Sequence, residues 1–225
     1  MRYSSNTLSE QLDHEEQQHS RARADASVLA DIYQEEVNIA VWQNQLPASL
    51  RNSVDTLLSN SGQIKAVMTV TPENVVNSLR EHSTELKKRE EYCQYVGLLV
   101  DMFCTLFELN RVGLRLTQLD RAMCPKFHVD RVPCRLITTF AGVATQWLPN
   151  EKVDRNKLGA GSLGLPDELS GIMQSPNDIQ FLEAGDVALV KGETWYNNKR
   201  GGLVHRSPPI ANDQQRLILT LDFID

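Results

Sequence analysis

The sequence predicts an α+β fold, with helices in the first half of the chain and strands in the second. Apolar residues recur at helical spacing before Gly113, whereas after it they form short runs rich in β-branched residues, separated by Gly, Pro and Asp. A chain of 225 residues with 41% hydrophobic content can bury a substantial core. Helices followed by strands predict that the helices cover one face of a sheet or barrel.

Residues 1–26 are polar and charged and lack apolar periodicity, so we expect a disordered or frayed leader. This segment lacks the apolar core of a signal peptide, and the longest apolar stretch, at 95–109, is interrupted by Asp101. We therefore expect a cytoplasmic protein with no membrane partner. The net charge of −6 argues against a broad nucleic-acid surface, which needs clustered excess Lys and Arg.

Residues 27–110 are predicted to be a helical region that supports the barrel. From Ser27 the apolar positions fit two helices with a break at Pro47. Thr71 is a predicted N-cap, with Pro72 at the first position of the next helix. The later part of this helix has apolar residues three and four positions apart, which indicates a face buried against something large. The region could also form a homodimer or bind a partner, because its residues do not distinguish these roles.

The C-terminal region, residues 111–225, contains the predicted sheet or barrel. Four of its segments have the composition of strands: LRLTQL, CRLITTF, IQFLEAGDVALV and RLILTLDFI. Within this region lies a long segment rich in Gly and Pro, which we predict to be a loop insert at 150–177. Loops of that length in compact domains are usually functional or disordered.

His128 and Asp130 form the strongest candidate for a metal site, because side chains two positions apart on an extended chain project to the same side. A third ligand has to come from elsewhere in the chain. Of the remaining histidines, two lie in the leader and one in a charged helix, which leaves His205 in the strand-rich half. Two imidazoles and one carboxylate on one face of Fe(II) form the facial triad of non-haem oxygenases.

Arg216 lies eleven residues after His205 and begins the apolar segment RLILTLDF. In a strand, Arg216, Ile218 and Thr220 project to one side, and three leucines project to the other. A guanidinium among inward-facing side chains needs an anion, and a carboxylate matches its parallel donors. We therefore predict that Arg216 binds the carboxylate of a ligand, with a buried Asp of the chain as the alternative partner.

The motif HVD at 128–130, the distal His205 and Arg216 together resemble the pattern of Fe(II)- and 2-oxoglutarate-dependent oxygenases. EAGDVALVKG resembles the turn and strand before the distal histidine of that superfamily, and ITTFAGVATQWL resembles the strand pair after its HxD motif. The sequence from FHVDRVPCRLITTF to HRSP also resembles a bacterial family of unknown function. The resemblance covers residues 111–225. It implies a double-stranded β-helix, a jelly-roll barrel of the cupin-like kind, on which the N-terminal helices pack.

The resemblance further implies a dioxygenase of the hydroxylase type with an unknown substrate. Iron would be bound by His128, Asp130 and His205, and Arg216 would bind the distal carboxylate of the co-substrate 2-oxoglutarate. Three residues on neighbouring strands could add hydrogen bonds to the co-substrate: Arg115, Thr117 and Thr220.

The substrate is expected beside the 150–177 insert and four residues of the strand-rich half: Trp147, Trp195, Tyr196 and Asn197. Basic residues near the HVD motif favour an anionic substrate, either a small molecule or a protein side chain.

Zinc is the alternative metal. Cys124 and Cys134 flank His128 and, together with His205, could form a tetrahedral site. The protein would then bind or transfer metal without oxygenase activity. Against this, the chain has no CxxC pair, and Cys134 follows Pro133 in an apolar run, which indicates buried reduced thiols. A catalytically inactive β-helix that serves as a binding module is the remaining alternative.

Overall fold

The computed structural model describes residues 20–59, 63–198, 200–212 and 214–224. These residues form a mixed α/β fold with a seven-stranded sheet and a three-stranded sheet. The strands and α-helices, in chain order, have the following bounds: β1 Ser20–Arg23, β2 Ile39–Trp42, α1 Ala48–Ser59, β3 Lys65–Val70, α2 Val75–His82, α3 Thr84–Lys87, α4 Glu90–Phe107, β4 Val112–Leu119, β5 Cys134–Ala141, β6 Gln146–Leu148, α5 Asp167–Ser170, β7 Gln180–Phe181, β8 Val187–Lys191, β9 Val204–Arg206 and β10 Arg216–Asp222.

The large sheet has the order β1-β2-β8-β5-β10-β4-β3, and the small sheet has the order β7-β6-β9. β1 pairs with β2 in parallel, and the other strand pairs are antiparallel. His128, between β4 and β5, adds to the small sheet through an isolated bridge with His205 of β9. From β4 onwards the chain passes repeatedly from one sheet to the other, and residues of both sheets line a common pocket.

The central strand β10 separates the two faces of the large sheet. Its three leucines are fully buried in the main hydrophobic core on one face. Arg216, Ile218 and Thr220 line the pocket on the other face. The alternation predicted from the sequence is therefore confirmed, as expected for a strand that projects successive side chains to opposite faces.

Buried residues of α1, α2, α3 and α4 belong to the main hydrophobic core, together with the leucines of β10. α4 buries Tyr92, Val96, Leu99 and Phe103 in the main core, at spacings of three and four residues. Tyr92 contacts Phe140 of β5 edge to face, with ring centroids 5.0 Å apart. Within the described ranges, no helix is long and apolar enough to cross a membrane. The predicted buried face of α4 is confirmed, and the pocket lies on the opposite side of the sheet.

Two strands within 27–110, β2 and β3, join the large sheet, so the prediction of a helical region at 27–110 is wrong for these segments. Residues Ala26–Tyr33 form a 3-10 helix, and β2 follows it where the apolar pattern predicts a helix. Ile39, Ala40 and Val41 of β2 are buried and pair with β8. A short apolar run of this kind cannot be distinguished from a buried helical segment by its periodicity.

Two predicted boundaries also need correction. The disordered leader is wrong over residues 20–26, where β1 pairs with β2; residues 1–19 lie outside the described residues. α2 begins at Val75 rather than at Pro72. The reason is local, since the carbonyl of Thr71 accepts hydrogen bonds from the N–H groups of Asn74 and Val75 and closes a turn before the helix.

Candidate metal centre

A backbone bridge between the segment after β4 and strand β9 brings the two histidines together. The N–H of His128 donates to the carbonyl of His205 at 3.0 Å, and the N–H of His205 donates to the carbonyl of His128 at 3.0 Å. Directly opposed residues of an antiparallel pair project to the same face, so both imidazoles enter the interior. Their ring centroids are 4.7 Å apart.

A carbonyl oxygen holds each imidazole in one orientation. Nδ1 of His128 lies 2.9 Å from the carbonyl oxygen of Lys126, and Nδ1 of His205 lies 3.2 Å from that of Leu203. Because a carbonyl only accepts, each Nδ1 carries the proton, and in the neutral ring Nε2 keeps its lone pair for a ligand. Metal-binding histidines are typically oriented in this way.

Asp130 completes a group of three ligand atoms. Its Oδ1 lies 3.6 Å from Nε2 of His128, and its Oδ2 lies 3.3 Å from Nε2 of His205. The ligand atoms of the three residues all lie within 4.8 Å of one another, the one such group of His, Cys, Asp or Glu found in the described part of the chain. The structure thus brings together the three predicted ligands, and this donor set suits Fe(II).

The surroundings keep Asp130 ionised. Burial opposes ionisation, but the neighbouring rings of His128 and His205 and the positive charge of Arg135 outweigh it and hold the pKa of Asp130 well below its usual value. For His128, burial lowers the pKa, yet the contacts with Asp130 and the carbonyl of Lys126 outweigh burial and raise it. The ionised carboxylate of Asp130 can therefore serve as a metal ligand.

The segment after β8 holds the loop that contains Asp130. The N–H of Glu193 donates to the carbonyl of Asp130 at 2.8 Å, and the N–H of Gly192 donates to the carbonyl of Pro133 at 2.9 Å. A Cβ at position 192 would overlap the carbonyl oxygen of Val132, so this approach requires glycine. Sequence reasoning missed this role of Gly192, although a glycine at the end of a strand is a signal of close backbone approach.

Arg135 of β5 joins Asp130 to Asp222 of β10. Its Nη1 donates to Oδ2 of Asp130 at 2.7 Å. Its Nε and Nη2 donate to the two carboxylate oxygens of Asp222 at 2.6 and 2.9 Å. Sequence reasoning missed this network because it depends on the register of β5 and β10, which places Arg135 directly opposite Asp222.

Arg216 is only 1% exposed, and among the described residues its guanidinium donates hydrogen bonds only to hydroxyl groups. Nη1 donates to Ser207 at 2.9 Å, and Nη2 donates to Thr139 at 3.1 Å and to Thr145 at 2.8 Å. No acidic residue of the described ranges forms an ion pair with it. Burial lowers the pKa of Arg216 to about 10, so the guanidinium is charged at neutral pH. Within the described part of the chain, the alternative of a buried Asp partner therefore finds no support.

The residues predicted to contact the co-substrate line the same pocket as the two histidines and Arg216. Arg115 is exposed, whereas Thr117 and Thr220 lie deeper. The hydroxyl oxygens of Thr117 and Thr220 are buried and have no hydrogen-bond partner among the described residues. Buried hydroxyls are normally paired, so these two are available to a bound molecule.

Most of the residues predicted to surround the substrate lie elsewhere. Trp195, Tyr196 and Asn197 line a separate surface depression with Tyr33, so their placement at the pocket is wrong. The reason is that Trp195 packs on the helical side, against Phe107 and Tyr33.

Trp147 lies on β6 directly opposite His205. It packs in an apolar cluster that includes Ile137 and Ile218, two residues of the pocket wall. Trp147 itself is not among the residues that line the pocket.

The 150–177 insert consists of short helical turns and is anchored beside both histidines. Oδ2 of Asp167 in α5 accepts hydrogen bonds from the N–H of Phe127 and from Nη1 of Arg206, each at 2.9 Å. Phe127 precedes one histidine and Arg206 follows the other. One buried carboxylate therefore ties the insert to both sides of the site, a link that the sequence did not indicate.

The zinc site with two thiolates is wrong. Cys134 is fully buried in the main core, on the helical face of the large sheet. Burial raises the pKa of its thiol well above the ordinary value, which disfavours the thiolate that a metal needs. Cys124 is exposed and lines the pocket, but neither cysteine belongs to the group of ligand atoms around His128.

Two sheets that share a pocket lined by two histidines, with the carboxylate of Asp130 beside them, define a candidate metal-binding protein. Residues 23–222 match a family model described as "Protein of unknown function (DUF1826)". The chain belongs to this family, so the expectation of a family of unknown function is confirmed. A search of curated proteins finds no match.

Solved structures similar to this chain include the following three, all at low identity. AviO1 from Streptomyces viridochromogenes Tue57 is 17% identical, with 90% of this chain and 96% of that chain covered and a TM-score of 0.45. The dioxygenase for auxin oxidation of rice is 12% identical, with coverages of 83% and 73% and a TM-score of 0.46. A Pseudomonas putida prolyl-4-hydroxylase is 13% identical, with coverages of 88% and 96% and a TM-score of 0.41. At this distance, a functional assignment has to rest on the geometry of the pocket.

Proposed function

We propose that the protein is a non-haem Fe(II)- and 2-oxoglutarate-dependent dioxygenase of the hydroxylase type, acting on a substrate still to be identified. The strongest support is Arg216, a buried guanidinium without a carboxylate partner among the described residues, in the pocket that His128 and His205 line. A metal site alone does not require such an arginine. A co-substrate that binds the metal at one end and has a carboxylate at the other requires both features.

The connectivity supports the same proposal. From β4 onwards the chain passes repeatedly between two sheets, as it does in a jelly roll. The jelly roll is the double-stranded β-helix that the resemblance of the sequence to the oxygenases implies. The α-helices on the outer face of the large sheet would stabilise the barrel without entering the pocket. Fold does not fix function, so this support is secondary to the site itself.

Three residues would hold the metal: His128, Asp130 and His205. Their fit to Fe(II) rests on the donor types and on the orientation of both imidazoles by carbonyl oxygens. Bound Fe(II) and 2-oxoglutarate would supply the chemistry, which is the reduction of O₂ coupled to decarboxylation of 2-oxoglutarate to succinate and CO₂.

The other pocket residues would bind and orient the co-substrate. Arg216 would bind its distal carboxylate, and the buried position makes that ion pair stronger than it would be in water. The unpaired hydroxyls of Thr117 and Thr220 would supply further hydrogen bonds. All three side chains belong to the face of the large sheet that lines the pocket, so packed strands fix their positions.

We extend the proposal to an anionic substrate, either a small molecule or a protein side chain. Arg115 is shared between the pocket and an adjoining surface depression, which also contains Lys65 and Arg121. One acidic residue, Asp120, lies among them and pairs with Arg121. The remaining positive charge would attract an anion in a chain whose net charge is negative.

The test is anaerobic addition of Fe(II) and 2-oxoglutarate to the full-length protein. We expect the weak visible charge-transfer band of a chelated complex, absent in His128→Ala and Asp130→Ala. His82→Ala is the matched control, because His82 is exposed and its ring forms a hydrogen bond with the carbonyl of Lys65, away from the three proposed ligands. A wild-type protein that binds Fe(II) but gives no band would contradict the use of 2-oxoglutarate. Tight Zn(II) binding that is lost in Cys124→Ser would support a metal-handling protein instead.

A further inference from the structure

We propose that Arg135 is a positioning residue for the metal centre and that Asp222 acts through it. Arg135 would orient the carboxylate of Asp130 for metal binding, and Asp222 would hold the guanidinium in place and balance its charge. This inference rests on the proposed metal site, but it concerns two residues that would not contact the metal.

The geometry assigns different donors of one guanidinium to the two carboxylates. Nε and Nη2 of Arg135 bind both oxygens of Asp222, whereas Nη1 binds Oδ2 of Asp130 at 2.7 Å. The three side chains are only 11 to 18% exposed. Hydrogen bonds between charged groups at such distances are strong, and burial reduces competition from water.

The strand register makes this arrangement rigid. Arg135 and Asp222 lie directly opposite each other on β5 and β10, in the middle of the seven-stranded sheet. Asp130 lies outside the named strands in the segment before β5, where the N–H of Glu193 binds its backbone carbonyl and not its carboxylate. Arg135, which is fixed on the sheet, therefore holds the carboxylate of Asp130, which lies in a loop. Residues that bind metal ligands from outside the metal site commonly have this role.

Asp222 has two effects on this contact. Its two oxygens engage two donors of Arg135, which leaves Nη1 directed at Asp130. Without Asp222, the guanidinium could turn and bind both oxygens of Asp130, in competition with the metal. Its negative charge also offsets the positive charge of Arg135, which would otherwise repel a divalent cation.

Three variants test the inference in the full-length protein: Arg135→Gln, Asp222→Asn and the double variant. The probe is Co(II). Titration measures its affinity, and the absorption spectrum of the bound ion reports on its coordination. We expect Arg135→Gln to weaken Co(II) binding about 10- to 100-fold, the usual effect of losing an outer contact of a metal ligand. Asp222→Asn should weaken it by about tenfold on the same grounds. The double variant should bind no more weakly than Arg135→Gln, because Asp222 acts only through Arg135.

Arg155→Gln is the matched control. Arg155 is a half-buried arginine that binds the side chain of Asn150 and the carbonyl of Gly202, outside the metal site. Its variant should keep the wild-type Co(II) affinity and spectrum. Asp222→Asn keeps the shape of the side chain and one acceptor, so it decides the question even if Arg135→Gln does not fold.

Loss of thermal stability with unchanged Co(II) affinity and spectrum in Asp222→Asn would make the network purely structural and overturn the inference. Additive losses in the double variant would show that Asp222 acts independently of Arg135, and would overturn it as well. Failure of the wild-type protein to bind Co(II) is a different result, because it would remove the proposed metal site itself.

Discussion

Arg135 and Arg216 lie on neighbouring strands and line the same pocket, but their partners differ. Arg135 donates to the carboxylates of Asp130 and Asp222, whereas Arg216 donates to three hydroxyl groups. The chain itself thus neutralises one guanidinium and leaves the other without an anion among the described residues. The first arrangement is typical of a residue that fixes structure, and the second is typical of one that binds an anionic ligand.

The largest expected effect is on the stability of the ligand-free protein. Arg135→Met should reduce the free energy of unfolding by about 3 to 5 kcal/mol, because it leaves two largely buried carboxylates without their partner. Arg216→Met should reduce it by at most about 1 kcal/mol, since lost hydrogen bonds to hydroxyls are offset by removal of a buried unpaired charge. Urea unfolding of both variants measures the difference. Equal losses would mean that the two arginines have the same structural role.

The next effect is on co-substrate affinity. Arg216→Ala should weaken 2-oxoglutarate binding to the metal-loaded protein by about 2 to 5 kcal/mol, the usual cost of truncating one member of a buried charge pair. This corresponds to a factor of about 30 to several thousand. Metal affinity should not change, because Arg216 contacts none of the three ligands. Calorimetric titration with each component separates the two, and equal losses of metal and 2-oxoglutarate would make Arg216 structural.

The smallest effect concerns the unpaired hydroxyls. Thr117→Val and Thr220→Val should each weaken 2-oxoglutarate binding by about 1 kcal/mol, the typical net contribution of one hydrogen bond. Thr138→Val is the control, because its buried hydroxyl is also unpaired in the described structure but does not line the pocket. Unchanged affinity in both pocket variants would remove these hydroxyls from the co-substrate site.

Patterns within a strand or a short motif were sufficient to predict much of the site. The two-residue period brought His128 and Asp130 together, and the same period put Arg216 on the pocket face of β10. Only the third ligand, His205, is distant in sequence from the other two, and the strand-rich half contains few histidines. Local periodicity also predicted the buried face of α4.

Features that depend on pairing between distant segments were not predictable. Arg135 finds Asp222 through strand register, and Asp167 binds Phe127 and Arg206 across 40 and 39 positions of sequence. β2 was mistaken for helix because a short buried run has no diagnostic period. Trp195 was predicted to lie at the pocket because it is close to His205 in the sequence. Such proximity does not indicate which face of a sheet a loop covers.

The most direct test of the account is a crystal structure with Mn(II) in place of Fe(II) and with 2-oxoglutarate. The account predicts one metal ion bound by His128, Asp130 and His205, with the distal carboxylate of 2-oxoglutarate on the guanidinium of Arg216. Arg135 should still bind both Asp130 and Asp222. Metal bound through Cys124, or a carboxylate bound away from Arg216, would contradict the account.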